Sequence, residues 1–144
     1  PYKTWCGARF AHVRHKQVDA PSFYLHVQPG NCFVGAGLWH PEPDSQRKIR
    51  QFIFNNPGAW KAAVQAPAFR RKFSMDGESL VRPPRGFPAD HELIDDIKRK
   101  NFVAMAPLDD AVVLGSALRK TVATQFTSLA PLVDYLCAAL DLEF

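Results

Sequence analysis

The sequence predicts an α+β domain with an antiparallel sheet built around a central hairpin and helices packed on the apolar face of that sheet. Three observations carry this expectation. Residues 21–40 hold two runs of alternating apolar and polar or small residues joined by Pro29-Gly30. The remaining order is mostly strands, then helices, one further strand and closing helices, and no internal repeat or low-complexity segment interrupts it. At 144 residues and 47% apolar content the chain fits a single domain over residues 1–144, able to bury roughly 70% of its unfolded surface.

The hairpin register follows from its turn. A two-residue Pro29-Gly30 link places Gln28 opposite Asn31, Tyr24 opposite Gly35 and Ser22 opposite Gly37. Period 2 then puts Phe23, Leu25 and Val27 with Val34, Ala36 and Leu38 on one continuously apolar face. The other face carries Tyr24, His26, Gln28, Phe33, Gly35, Gly37 and Trp39. Glycine weakens a strand interior unless the chain bends or something approaches it closely. Two alternate glycines therefore imply either rings of Tyr24 and Trp39 lying over them, or the floor of a groove lined by Tyr24, His26 and Trp39. Pro-Gly suits a type II turn better than the primed hairpin turns, which leaves room for a longer loop.

Before the hairpin, residues 4–13 alternate as a strand that joins it as a third antiparallel member, and residues 14–20 form a polar connection with a small basic tip. His12-x-x-His15 has metal-ligand spacing but no nearby carboxylate or thiolate to complete a set, so no metal site is expected. After Trp39, the link through Pro41 and Pro43 is stiff, and Asp44 is the expected N-cap of a helix bearing Ile49, Phe52 and Ile53. Asn56-Pro57 opens a second helix carrying Trp60, Ala63 and Val64, which Pro67 ends or redirects. Arg70, Arg71 and Lys72 between Phe69 and Phe73 make a solvated helix edge; so short a run, without a binding module, does not make nucleic acid the expected partner.

Residues 76–100 hold Arg82 and Arg85 on a stiff Pro/Gly segment, suited either to gripping a carboxylate or phosphate or to a structural role such as pairing with Glu78. Asp90 is the expected cap of a helix that buries Leu93, Ile94 and Ile97, and its Asp95-Asp96 pair diverges and is no catalytic dyad. Residues 101–108 read as a strand. Apolar spacing from Val112 to Leu142 predicts two helices, or one kinked helix, interrupted at Ala130-Pro131.

Net charge is +4, distributed as +8 over residues 1–72 and −4 over residues 73–144. Such asymmetry either marks a basic surface or is neutralised where the halves interleave. Cys6, Cys32 and Cys137 are odd in number and widely spaced, which predicts free thiols, a reducing compartment and a cytoplasmic location. No run reaches the length of a membrane span.

Five separated motifs, PYKT at residues 1–4, FYLHVQPG at 23–30, GAGLWHPEP at 35–43, GESLVRPPRGF at 77–87 and APLVDYL at 130–136, resemble the uncharacterised bacterial and fungal family catalogued as domain of unknown function 2461. The resemblance covers essentially the entire chain. It carries over no reaction, ligand or catalytic residue. It does imply an N-terminal helical region and a basic run leading into the PYKT motif, so the chain is expected to be the C-terminal part of the usual family chain. Were that region to pack on the sheet, it would cover the face of Tyr24, His26 and Trp39.

Three functions fit these residues. The leading one is a binding module for an anionic, phosphate-containing or similar small molecule, with Lys3, Arg82 and Arg85 neutralising charge and Tyr24 and Trp39 packing on its flat part, beside His26. The alternative is an interaction or structural module whose aromatic face docks a protein partner or the N-terminal segment, without catalysis. Behind both stands a hydrolase-type enzyme using His26 as general acid or base, for which the sequence offers no nucleophile elbow, phosphate loop or metal set. No cofactor is called for.

Overall fold

The structure, a computed structural model, describes residues 2–144; Pro1 of the PYKT motif lies outside them. Strands β1 (Cys6–Ala11), β2 (Ser22–Val27) and β3 (Cys32–Leu38) form the first half of an antiparallel sheet. The chain then runs through helices α1 (Pro43–Asn55), α2 (Pro57–Val64) and α3 (Pro67–Lys72), strand β4 (Ser74–Asp76) and helix α4 (Ile94–Ile97). Strand β5 (Phe102–Leu108) and helices α5 (Asp110–Leu114) and α6 (Leu118–Ala139) complete it. The sheet order is β1-β2-β3-β5-β4, all neighbours antiparallel, so β5 enters beside β3 and the two edges are β1 and β4.

The hairpin has the register its turn dictates: Ser22 pairs with Gly37 and Tyr24 with Gly35. The Asn31 N–H donates to the Gln28 carbonyl (2.8 Å) across Pro29-Gly30, with Gly30 at φ +75, the signature of a type II turn. The apolar face is the core. Val34, Ala36, Phe102 and Ala104 are fully buried beneath Leu129, Leu132 and Leu136 of α6 and Ile49 and Ile53 of α1. Phe126 of α6 packs on Phe10 and Phe23, closing the core over β1 and β2.

Several expected boundaries move, each for a local reason. The first strand is Cys6–Ala11 rather than residues 4–13, because only those residues find partners on β2. Helix α1 begins at Pro43, whose fixed φ suits the first helical position. The N-cap is therefore Glu42, and Asp44 sits inside the first turn. Asp90 caps nothing; the His91 Nδ1 accepts the Leu93 N–H (3.0 Å) and the helix contracts to Ile94–Ile97. Asp96 pairs with Arg99 (2.8 Å). Glu78 lies 3.5 Å from Lys100. Pro131 does not interrupt α6, which runs through it; Pro131 faces solvent while Leu129, Leu132 and Val133 are buried. Their packing outweighs a proline penalty of roughly 3 kcal/mol. The break falls instead at residues 115–117, between α5 and α6.

The three thiols are free, Cys6 exposed and Cys32 and Cys137 buried. Burial, with a smaller contribution from the charge of Asp134, pushes the Cys137 thiol up to about 11. A thiol reagent at pH 8 is expected to modify one cysteine of the native chain, Cys6, and three after denaturation. Native modification of Cys32 or Cys137 at a rate comparable to Cys6 would contradict this packing.

Candidate functional site

The face of the sheet turned away from the helices is organised in rows set by the strand register. One row runs Gly7, His26, Phe33 and Pro107; the next Arg9, Tyr24, Gly35, Met105 and Ser74; the third Ala11, Ser22, Gly37, Val103 and Asp76. Charged groups thus stand on opposite edge strands, Arg9 on β1 and Asp76 on β4, with glycines at the centre of the floor.

The two glycines are there for different reasons. The Tyr24 ring lies over Gly35, where an added Cβ would come within 2.5 Å of its hydroxyl. Gly37 is covered by backbone: at φ +133, its Cβ would overlap the Phe102 carbonyl oxygen and lie 2.7 Å from the Val103 Cα. Trp39 covers neither among these nearest contacts and remains half exposed, its ring edge-on to His40.

A cleft of about 580 Å³ opens on this floor, lined by Arg9, Ala20, Ser22, Tyr24, Phe33, Gly37, Leu38, Trp39, Asp76 and Met105. Arg9 is held by one bond, its Nε–H donating to Ser22 Oγ (3.1 Å). Among the described residues its terminal guanidinium nitrogens have no protein partner, and neither has the Asp76 carboxylate. Burial, followed by the charge of Asp76, pushes the Tyr24 hydroxyl up to about 12, so at neutral pH it is a hydrogen-bond donor.

Beyond Tyr24 and Phe33 lies a shallower cleft of about 340 Å³ bordered by Lys3, Trp5, Gly7, Arg9, His26 and Phe33. A ladder of rings crosses it. The Lys3 ammonium sits 3.9 Å from the Trp5 ring centre, Trp5 stacks on His26 (5.1 Å), and His26 on Phe33 (4.6 Å, interplanar angle 12°). The His26 Nε2 bonds to Gln28 Oε1 (3.0 Å), an oxygen that accepts, so Nε2–H is the donor. Clamped between two rings and tied to an amide, His26 has no carboxylate among the described residues to orient it as an acid or base.

Of the residues singled out in the sequence, Tyr24 and Trp39 line the main cleft, and Lys3 and His26 line its neighbour with Tyr24 between them. Arg82 and Arg85 border neither. They are exposed on a segment whose Phe87 and His91 rest on Phe54 of α1, with the helices. Arg9, Ala20, Ser22, Asp76 and Met105 line the cleft without having been selected from the sequence, as does Leu38, expected on the apolar face. Arg9 was accessible through strand parity once the first strand was paired to the hairpin. Asp76 belongs to a three-residue strand that leaves no periodic signal. His12 is spent structurally: its Nδ1 accepts the Arg14 N–H (3.1 Å) and its Nε2–H donates to the Glu143 carbonyl (2.8 Å). The rings flanking Arg70, Arg71 and Lys72 are buried and unable to stack on bases. Among the described residues no group of three His, Cys, Asp or Glu converges for a metal, and no helix is long and apolar enough to cross a membrane.

An open antiparallel sheet with helices on one face and a cleft between opposed charges on the other defines an α+β domain with a solvent-facing sheet surface. The chain belongs to the family described as Conserved hypothetical protein (DUF2461), which matches residues 1–135. Comparisons with curated proteins and with solved structures return no match.

Proposed function

We propose that the outer sheet face binds an anionic small molecule carrying a flat or apolar part, with Arg9 as the anion anchor and Tyr24 and Trp39 as the surface on which the flat part rests. The observation that carries this is the Arg9 guanidinium, oriented by Ser22 and without a further partner among the described residues, on the wall of a cleft to which Tyr24, Phe33 and Trp39 contribute rings. Lys3 and His26 extend the same face and add positive charge and ring surface beyond Tyr24. Arg9 takes the place the sequence reading gave to Arg82 and Arg85.

The test is a thermal-shift screen against inorganic phosphate, nucleotides, sugar phosphates and dicarboxylates. A ligand at a hundred times its Kd stabilises the folded state by about 2.7 kcal/mol. One anionic class is expected to raise Tm by several degrees, with the shift lost in Arg9→Gln and kept in Arg82→Ala. A shift that survives Arg9→Gln removes Arg9 as the anchor.

A protein-docking role draws on a separate observation: Trp5, Phe10 and Trp39 are each about half exposed. It predicts a blank screen at millimolar concentrations.

A further inference from the structure

We propose that the ligand of this cleft is bipolar, carrying an anionic group at one end and an ammonium or similar cationic N–H group at the other, with a flat apolar body between. This rests on the anion-binding role of Arg9 and adds the specificity that Asp76 imposes.

Arg9 and Asp76 stand on the two edge strands, with β2, β3 and β5 between them. Four strand spacings of about 4.8 Å separate their Cα atoms by roughly 19 Å; Arg9 leans over β2 to bond Ser22, three spacings from Asp76 in the same row, so with the reach of the two head groups roughly 10 Å lies between the charges. That gap is too wide for the ion pair to close on itself, and among the described residues neither group finds another partner. Both border the same cleft, which Tyr24, Gly37 and Met105 line from the three strands between them. Asp76 also acts at a distance on the Tyr24 hydroxyl, so its field reaches the middle of the floor. A second anionic group placed there is repelled, and a cation is attracted.

Three rigid probes built on one benzene ring separate the possibilities: benzoate, 4-(aminomethyl)benzoate and terephthalate, titrated calorimetrically against the native chain, Arg9→Gln and Asp76→Asn. The aminomethyl acid is expected to bind about tenfold tighter than the plain acid, and the dicarboxylate about tenfold weaker. In Asp76→Asn the three are expected to converge to within about threefold, while Arg9→Gln weakens all of them. If the plain acid binds through Arg9 and the amine adds nothing, the bipolar ligand is wrong and the anion site stands. If none of the three binds at millimolar concentration, both fail. Asp76→Ser serves the same comparison should Asp76→Asn not fold.

Discussion

Gly37→Ala is expected to cost about 4 kcal/mol or more, enough to leave much of a chain of this size unfolded at 37 °C. Two costs combine. The backbone at φ +133 lies where side chains are rarely accommodated, a strain of about 1–3 kcal/mol. The added methyl would also overlap the Phe102 carbonyl oxygen, and β3 and β5 are locked there by the Gly37–Val103 and Leu38–Phe102 pairs. Relief requires parting the two central strands of the sheet, on which Ala36 and Ala104 already pack without free space. Gly35→Ala supplies the contrast. Its methyl meets only the outer end of the Tyr24 ring, which can swing aside, so a loss below about 2 kcal/mol is expected. Urea denaturation of both variants checks the pair. A Gly37→Ala midpoint indistinguishable from Gly35→Ala would show that β3 and β5 are not as close as described. If the cleft binds the proposed anion, Gly35→Ala also weakens that binding, since it displaces Tyr24 from the floor of the cleft.

The hairpin was legible because two independent signals agree there: Pro29-Gly30 fixes the turn, and the period-2 pattern of Phe23, Leu25 and Val27 against Val34, Ala36 and Leu38 fixes the faces. What was lost lay in long-range pairing. Asp76 reaches the cleft only because residues 74–76 pair with Val103, Ala104 and Met105, some thirty residues later in the chain. The stiffness of the segment around Arg82 and Arg85 was real information about entropy, but it says nothing about which layer the segment joins. That is decided by Phe87 and His91 resting on Phe54. Likewise Pro131 is a local helix-breaking signal overruled by the burial of its neighbours Leu132 and Val133.

The helical layer packs on the back of the sheet through α6, and Trp60 of α2 packs against α6. The indole is fully buried and packs edge-on to Tyr135 (5.2 Å), whose hydroxyl in turn shares its proton between the Phe52 and Asn56 carbonyls (3.2 and 3.1 Å). These bonds join α6 to the junction of α1 and α2, where the Asn56 carbonyl also accepts the Trp60 N–H (3.3 Å) and the Phe52 carbonyl also accepts the Asn56 N–H (2.8 Å). Trp60→Ala is expected to cost about 3–5 kcal/mol, combining lost burial with a cavity that rigid neighbours on α6 cannot collapse. Trp60→Phe should behave differently. The Trp60 Nε1–H is buried without a hydrogen-bond partner among the described residues, and an unsatisfied donor of that kind costs about 1–3 kcal/mol. Phenylalanine removes that penalty while keeping a ring against Tyr135, so its net cost is expected to stay within about 1.5 kcal/mol. Equal losses for the two variants, measured by chemical denaturation with unchanged m-values, would mean that the Nε1–H is satisfied and that the indole's value lies in its full volume.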